Sequence, residues 1–343
     1  MLISMQQSPK RAIQVGADYL RRGKLVAFPT ETVYGLGANV WNPAAVAAIF
    51  QAKSRPADNP LIAHISSWDM LEQLVSTVPP AAIRLMQAFW PGPLSIVLPR
   101  SPKVPDIVTA GLPTVAVRWP NHPVALALIS TAGLPVAAPS ANRSGRPSPT
   151  LAEHVQSDLG DQVDLIIDAG MAAVGLESTV VNLSGDSPVL LRPGAVTLEE
   201  LQQVIGPLQV AGRMESGAAP SPGMKYRHYA PAAPLHLYLG ESSDSVAAIR
   251  RRASELLADG RQVGVLTYDQ YVDKFAGATV LSLGSESQPA EAAQRLYSRL
   301  REFDALGVEV ILAQGLPTTA GLALALQNRL SKAAGHRIIW TSM

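Results

Sequence analysis

Residues 28–64 read FPTETVYGLGANVWNPAAVAAIFQAKSRPADNPLIAH, and this stretch decides the fold. The run KLVAF, which leads into this stretch, predicts a buried strand over 24–28. A polar loop with Thr30, Glu31, Thr32 and Tyr34 follows. Asn-Pro at 42–43 is a helix-start signal, so we expect a helix over 43–52. A strand, polar loop, helix and basic loop in one unit indicate an α/β fold with a site for a small anionic ligand.

The segments that follow predict the remainder of one twisted α/β sheet. Thr150 with Glu153 predicts a capping box for a helix over 151–159, and Thr197 with Glu200 predicts a second box for a helix over 198–205. Further strands are predicted at 61–65, 94–98, 114–119, 135–138, 163–168, 178–183 and 189–192. We therefore expect a catalytic domain over residues 8–210 with a mixed sheet and helices.

Residues 211–234 are rich in Pro, Gly, Ala and Ser and are typical of a linker. The centre of this segment, MKYRHY at 224–229, carries more chemistry than a spacer needs, although a merely solvated linker is the alternative. Beyond it, strands spaced by long helices over 235–343 predict a smaller, Rossmann-like parallel sheet. Its loops carry few convergent charges, so we expect an accessory domain.

The composition narrows the class of protein. Of 343 residues, 47% are hydrophobic and 16% are charged, which is typical of well-cored globular domains. The formal net charge of +1 argues against a large nucleic-acid-binding surface. The absence of cysteine excludes disulfides, zinc–thiolate sites and a cysteine nucleophile. A polar N-terminus and the lack of a long apolar run predict a soluble, cytoplasmic protein.

Familiar nucleotide and hydrolase signatures are missing. The pair Gly35-x-Gly37 continues without the third glycine of the dinucleotide fingerprint. The sequence also lacks GxxxxGK[ST], HExxH and GxSxG. Any use of ATP would therefore rely on an uncommon architecture.

Lys53 and Arg55 are the first candidates for contact with an anion. They lie just after the helix over 43–52, where two cations could simply complement the helix C-terminus. The alternative is a phosphate clamp, in which the arginine is a planar fork and the lysine a point charge. The loop between Pro56 and Pro60 favours the clamp, because it fixes the backbone and offers Asn59.

Three further features are ambiguous when taken alone. Arg118 ends an apolar strand, where it is either a solvated rim charge or a carboxylate ligand at the carboxyl edge of the sheet. The loop SANRSGRPS at 140–148 either offers donors to phosphate and ribose or is an ordinary turn. His64 is more simply a satisfied core histidine than a site residue.

Taken together, these stretches resemble a known family. FPTETVYGLG, KSRPADNPL with His64, AVRWP, APSANRSGRPSPT, ESTVV and LLRPG are similar to the YrdC-type domain of L-threonylcarbamoyladenylate synthases. SPGMKYRHYAP and the region after it resemble the linker and C-terminal domain of the long, two-domain members. The similarity extends over residues 8–343.

The resemblance implies an enzyme of the nucleotidyltransferase type. Such an enzyme joins L-threonine, bicarbonate and ATP into threonylcarbamoyl-AMP and releases diphosphate. The product passes to the tRNA-threonylcarbamoyl transferase machinery, which modifies ANN-decoding tRNAs. Mg²⁺ is expected with ATP, and no organic cofactor, membrane or stable nucleic-acid complex is expected.

The resemblance also implies roles for particular residues. Lys53 and Arg55 would neutralise the triphosphate charge during catalysis. The residues implied for threonine are Thr32, His64, Arg118, Ala138 and Ser178. The residues implied for ATP are Lys53, Arg55, Asn59, Thr114, Ser140, Asn142, Ser148, Arg192 and Tyr229. The linker around Lys225 to Tyr229 would form a lid that excludes water.

Two alternatives from other classes stay open at this point. One is an RNA-binding YrdC-like module without synthase activity, which the near-neutral charge and the lack of a basic stretch with stacking aromatics disfavour. The other is a carbamoyl-transferring enzyme with a YrdC-like module, for which the accompanying acylphosphatase-like and zinc-finger parts are absent. Dependence on carbamoyl phosphate instead of bicarbonate would distinguish that enzyme.

Overall fold

The computed structural model describes residues 1–211, 228–335 and 337–341. Among these residues, two compact units are distinguished. The first holds residues 1–144 and 148–211, and the second holds residues 145–147 together with the chain from residue 228 onward. No helix in the described ranges is long and apolar enough to cross a membrane.

An 11-stranded mixed sheet forms the centre of the first unit, in the order β1-β8-β2-β3-β7-β4-β6-β5-β9-β10-β11. Its strands are β1 (Leu2–Ser4), β2 (Val26–Phe28), β3 (Gly35–Asn39), β4 (Ile62–His64), β5 (Leu94–Pro99), β6 (Thr114–Arg118), β7 (Val136–Ala137), β8 (Leu165–Asp168), β9 (Thr179–Asn182), β10 (Val189–Arg192) and β11 (Gln209–Val210). Parallel pairs such as β4 with β6 lie beside antiparallel pairs such as β5 with β6. The mixed α/β class predicted from the sequence is confirmed.

Eight helices accompany this sheet among the described residues. They are α1 (Pro9–Arg21), α2 (Pro43–Lys53), α3 (Trp68–Leu74), α4 (Pro80–Phe89), α5 (Asp106–Thr109), α6 (Pro123–Ala132), α7 (Ala152–Leu159) and α8 (Leu198–Ile205). The Asn42 side chain accepts a hydrogen bond from the Ala45 N–H and so caps α2. Thr197 and Glu200 form the predicted reciprocal capping box at the start of α8.

Strand register aligns three polar residues across the middle of the sheet. His64, the last residue of β4, lies opposite Arg118, the last residue of β6. Arg118 lies opposite Ser95 of β5 on its other side. All three are buried among apolar strand residues, so the sheet itself positions a polar row at one place.

The second unit is built on a five-stranded parallel sheet with the order β14-β13-β15-β12-β16. Its elements are β12 (Leu235–Leu239), α9 (Ser242–Ala258), β13 (Val263–Thr267), a 3₁₀ helix (Asp269–Lys274), β14 (Thr279–Ser282), α10 (Pro289–Leu306), β15 (Val310–Gln314), α11 (Leu322–Ala334) and β16 (Ile338–Trp340). Buried Val265 and Leu312 pack with Ile249 and Phe275 in its core. Alternating strands and helices thus give the predicted Rossmann-like layout.

Two local predictions are wrong. Thr150 and Glu153 do not form a capping box, because α7 begins one residue later, after Leu151, and no side chain caps it. The Thr150 N–H instead donates to His154 Nδ1 at 3.2 Å.

The second wrong prediction concerns β3, which the sequence predicts as part of a loop. Gly37 in β3 packs so closely on Phe28 and Val136 that a Cβ there would lie 2.8 Å from each side chain.

Candidate active site

Arg118 is the centre of the site. Its side chain is almost completely buried, and Nε donates to the Gly92 carbonyl at 3.3 Å. Nη1 donates to Thr32 Oγ1 at 2.8 Å, and Nη2 lies 2.7 Å from Glu31 Oε1. Arg118 is therefore not a solvated rim charge, because the protein encloses the guanidinium and fixes its plane.

The loop after β2 presents Thr32 to Arg118 in a fixed conformation. Thr30 Oγ1 donates to the Val33 carbonyl at 2.6 Å and lies 2.8 Å from Thr32 Oγ1. The Val174 and Gly175 N–H groups, from the segment between β8 and β9, donate to the carbonyls of Glu31 and Thr32 and fix the backbone of the loop. These bonds leave little freedom to the Thr32 hydroxyl.

The Ser178 hydroxyl lies between a serine and an arginine. Its Oγ is 2.8 Å from Ser95 Oγ and accepts a hydrogen bond of 3.1 Å from Arg192 Nη2. Arg192 Nε also donates to the Ser178 carbonyl at 3.0 Å. Ser95 was not predicted as a site residue, although one polar residue within the apolar strand LSIVLP was a usable signal.

The uncharged imidazole of His64 lies next to Arg118 in the sheet. Its Nδ1 lies 3.2 Å from the Ile62 carbonyl, and its ring meets Phe28 edge-on at 6.3 Å between centroids. Burial, helped by the nearby Arg118 charge, lowers the pKa of His64 to about 3. The Ala138 N–H also donates to the Ile62 carbonyl, at 3.0 Å, so Ala138 and His64 meet the same backbone oxygen.

A second cluster lies around Lys53. Its side chain is fully buried, and Nζ donates to the carbonyls of Ser140 and Asn142. Ser140 Oγ donates to Asn142 Oδ1 at 2.6 Å. The Ser144 N–H donates to the Lys53 carbonyl at 2.9 Å. Lys53 therefore anchors the loop after β7, and this loop carries three of the residues predicted to bind the nucleotide.

Arg55 and Asn59 shape the other edge of this cluster. Arg55 Nη2 donates to the carbonyls of Asn59 and Pro60, at 3.3 Å and 3.2 Å. These carbonyls belong to the loop and not to the C-terminus of α2. Asn59 is buried, and its Oδ1 accepts no hydrogen bond from any described residue. A buried amide oxygen without a donor is a fitting acceptor for a polar ligand.

Thr114 and Ser148 are two more residues predicted to bind the nucleotide. Thr114 opens β6, which Arg118 ends, so the two are separated by four residues or about 13 Å of strand. Ser148 is buried, and its hydroxyl donates to Glu177 Oε1. Glu177 was likewise not predicted as a site residue.

Tyr229 belongs to the second unit. Its backbone has φ of 63°, and its ring packs on Tyr297 at 5.3 Å between centroids. The Arg329 guanidinium lies 5.5 Å from the centre of the Tyr229 ring. Its role toward ATP stays a prediction, and Lys225, with the rest of 212–227, lies outside the described residues. In the ranges that are described, no three His, Asp or Glu side chains cluster as metal ligands.

Comparison with known proteins identifies relatives of both units. The Sua5_yciO_yrdC family model, described as telomere recombination, matches residues 18–194. The Sua5_C model, described as threonylcarbamoyl-AMP synthase, C-terminal domain, matches residues 196–335. Both models therefore lie on one chain, as in two-domain proteins.

Full-length relatives carry a consistent name. Threonylcarbamoyl-AMP synthase of Bacillus subtilis is 49% identical, covering 95% of this chain and 94% of the relative. The protein of the same name from Pyrococcus abyssi is 48% identical, with 95% of each chain covered. The crystal structure of P. abyssi Sua5 complexed with L-threonine matches with a TM-score of 0.93 at 45% identity, covering 100% of both chains.

The fold and site thus define an enzyme of the nucleotidyltransferase type, built on a mixed α/β sheet with a buried polar row. The chain belongs to the Sua5/YciO/YrdC family, in its two-domain form, whose full-length homologues are named threonylcarbamoyl-AMP synthase. The family and the enzyme class predicted from the sequence are confirmed, and they favour a synthase over the RNA-binding alternative.

Proposed function

We propose that this enzyme joins L-threonine, bicarbonate and MgATP into threonylcarbamoyl-AMP with release of diphosphate. The names of its full-length relatives support this activity, and so does the threonine complex of P. abyssi Sua5. The product would pass to the transferase machinery that modifies ANN-decoding tRNAs. Because that tRNA pool lies in the cytoplasm, we place the enzyme there.

The buried guanidinium of Arg118 is the observation that carries the proposal. An enclosed arginine beside the Thr32 hydroxyl suits a small carboxylic acid, because its planar fork can pair with both oxygens. The threonine carboxylate would bind Arg118, near Thr32 and Ser178. His64 and Ala138 would border the rest of the amino acid. Because the pKa of His64 is low, its ring is neutral and would not compete with Arg118 for the carboxylate.

The nucleotide would occupy the cluster around Lys53. Its phosphates would meet Lys53, Arg55, Ser140 and Ser148, and Mg²⁺ would arrive with them as part of the substrate. The nucleotide contacts would be completed by Asn59, Thr114, Asn142 and Arg192. The buried position of Lys53 supports a role in which the lysine also fixes the loop that holds Ser140 and Asn142.

The reaction then needs no protein nucleophile. The threonine amine nitrogen bonds to the carbon of bicarbonate, and water leaves, which gives the carbamate. A carbamate oxygen then bonds to the α-phosphorus, and the bond from this phosphorus to the diphosphate oxygen breaks. The chain would hold the reactants in line and neutralise the phosphate charge, both of which lower the barrier.

Isotope labelling tests the proposal. The full chain is incubated with MgATP, L-threonine and carbon-13 bicarbonate, and the product is analysed by mass spectrometry. We expect a threonylcarbamoyl-AMP that carries one carbon-13 atom. A threonylcarbamoyl-AMP without the label would contradict bicarbonate as the donor. So would a product that forms only after carbamoyl phosphate is added.

A further inference from the structure

The tip of the loop after β7, residues 145–147, belongs to the second unit. The chain leaves the first unit after Ser144 and returns to it at Ser148. Gly145 lies in the left-handed region with φ of 91°, and its carbonyl accepts a hydrogen bond of 2.9 Å from the Ala230 N–H. The tip thus has partners of its own within the second unit.

One face of α10 holds the other two residues of the tip. Arg301 is buried, and its Nη2 donates to the Pro147 carbonyl across 154 residues of sequence. Asp304 lies one turn further along the same face, and its Oδ2 is 3.5 Å from Arg146 Nη2. Because 38% of the Arg146 side chain is exposed, this ion pair contributes little. Arg301 therefore provides the firmer of the two contacts.

The hydrogen bond from Arg301 fixes more than a carbonyl. The Pro147 carbonyl and the Ser148 N–H belong to one peptide group, and a peptide group is planar. A donor that holds this carbonyl therefore also sets the direction of the Ser148 N–H and the position of the Ser148 Cα. The Ser148 hydroxyl has a separate partner, since it donates to Glu177 Oε1. Arg301 thus acts on the backbone of Ser148, and Glu177 acts on its side chain.

We propose that Arg301 is a positioning residue for Ser148 and thereby for the phosphates of ATP. This inference rests on the proposed function, in which Ser148 meets the phosphates, and it extends that function by assigning a role to α10. Arg301 itself would not contact ATP. By holding the peptide between Pro147 and Ser148 before ATP arrives, it would remove the entropic cost of ordering this part of the loop during binding.

A purely structural role for Arg301 is the alternative. Leu300 and Phe303, which lie beside Arg301 and Asp304 in α10, are fully buried, so this helix contributes to the core of the second unit. An arginine that only stabilised α10 would, when replaced, lower the free energy of unfolding and affect both substrates alike. A positioning role instead predicts a loss that is confined to ATP.

The test measures binding of ATP and of L-threonine to the full chain by calorimetry. Arg301→Met keeps an unbranched apolar side chain but removes the N–H donors. We expect this variant to weaken ATP binding about tenfold, as for the loss of one hydrogen bond from a charged group, and to change L-threonine binding by less than about twofold. Equal losses for the two ligands would overturn the proposal, because they would indicate the structural role.

Arg299→Met is the matched control. Arg299 lies in the same helix, and its Nε donates to the Ser282 carbonyl at 3.1 Å, so it also holds a backbone oxygen within the second unit. Arg299→Met should leave ATP binding unchanged. A loss in this variant equal to the loss in Arg301→Met would overturn the proposal, because any disturbance of α10 would then affect ATP.

A double-mutant cycle with Ser148→Ala tests whether Arg301 acts through Ser148. Residues that act independently have additive effects, whereas coupled residues do not. In the Ser148→Ala background, the loss of ATP affinity caused by Arg301→Met should fall from about tenfold to about threefold or less. An undiminished loss in that background, or unchanged ATP binding in Arg301→Met alone, would overturn the proposal.

A second variant covers the case in which Arg301→Met does not fold. Arg301→Lys then replaces it, because lysine keeps the charge but lacks the planar fork. ATP binding by Arg301→Lys should still be at least about threefold weaker than in the wild type, and unchanged binding would overturn the proposal. A wild type that binds no ATP would instead overturn the proposed function.

Discussion

Arg118 Nη1 donates a 2.8 Å hydrogen bond to Thr32 Oγ1 across 86 residues of sequence. This bond joins the end of β6 to the loop after β2, so two distant segments form one wall of the site. Since both side chains are buried and held by further hydrogen bonds, Thr32 by Thr30 and Arg118 by the Gly92 carbonyl, the wall is formed before a substrate arrives. Such preorganisation lowers the entropic cost of binding.

Arg118→Lys is expected to impair threonine use selectively. Lysine keeps the charge but loses the planar fork that reaches Thr32, Glu31 and a carboxylate together. The KM for threonine should rise about tenfold or more, in line with about 1.5–3 kcal/mol for hydrogen bonds to charged groups, while the KM for ATP should stay within about twofold. Steady-state kinetics with each substrate varied in turn measures both, and an unchanged threonine KM would place the carboxylate elsewhere.

Lys53→Met is expected to impair ATP use instead. The variant removes the ammonium that holds the Ser140 and Asn142 carbonyls, so the loop that carries both residues loses its anchor. The KM for ATP should rise about tenfold or more, with a smaller effect on threonine. Lys24→Met, which removes an exposed lysine paired with Asp164, is the matched control and should change neither constant. Equal losses for both substrates would argue against a role specific to the nucleotide.

His64 should make the folded state acid-sensitive. Its pKa is lowered to about 3 in the folded protein, against 6.5 without burial. Between pH 3 and pH 6.5, His64 therefore binds a proton in the unfolded chain but not in the folded chain. The free energy of unfolding consequently falls as the pH drops from about 6.5 toward 3. The contribution of His64 is at most about 1.4 kcal/mol per pH unit.

Urea unfolding at pH 7.5 and pH 5 measures this loss, because the Arg118 charge and hydrogen bonds lower the pKa of Glu31 despite its burial, which keeps Glu31 from adding to the change. His64→Gln should lose less stability between the two conditions than the wild type. His122 and His236, whose pKa values are also lowered, account for a slope that remains in the variant. Identical losses in the wild type and His64→Gln would show that His64 titrates normally.

Thr197→Ala should destabilise the first unit without touching the site. Thr197 Oγ1 accepts the Glu200 N–H at 3.3 Å, and Glu200 Oε2 accepts the Thr197 N–H at 2.7 Å. Loss of such a cap costs about 1 kcal/mol. Denaturant unfolding should detect this lower free energy of unfolding. Thr197→Ser keeps the hydroxyl and should retain most of the wild-type stability. The KM values of both variants should not change. A fully stable Thr197→Ala would mean that packing alone holds α8.

The sequence was informative where a signal is local. Asn42 before Pro43 predicted the cap of α2, and Thr197 with Glu200 predicted the box of α8, because both depend on residues within one turn. The same pattern at Thr150 was wrong, since the Thr150 N–H bonds to His154 instead. β3 was missed because Gly35 and Gly37 lower strand propensity, while the need for glycine comes from Phe28 and Val136 in other parts of the chain.

The site shows the same limit. Arg118, Thr32 and Ser178 were named from their stretches of sequence, but their contacts depend on strand register. Ser95 reaches Ser178 only because β5 lies between β6 and β9. The pairing of Glu31 with Arg118 joins residues that are 87 positions apart, and no local pattern predicts it. Sequence therefore indicated the chemistry of the site, and topology supplied its partners.

Diphosphate release from ATP is the most direct test of the central claim, that this chain uses threonine, bicarbonate and ATP together. Release is measured with the full chain and all three substrates, and then with threonine or bicarbonate omitted in turn. We predict that release requires all three and falls to background in each omission. Diphosphate release that continues without threonine or without bicarbonate would contradict the proposed function.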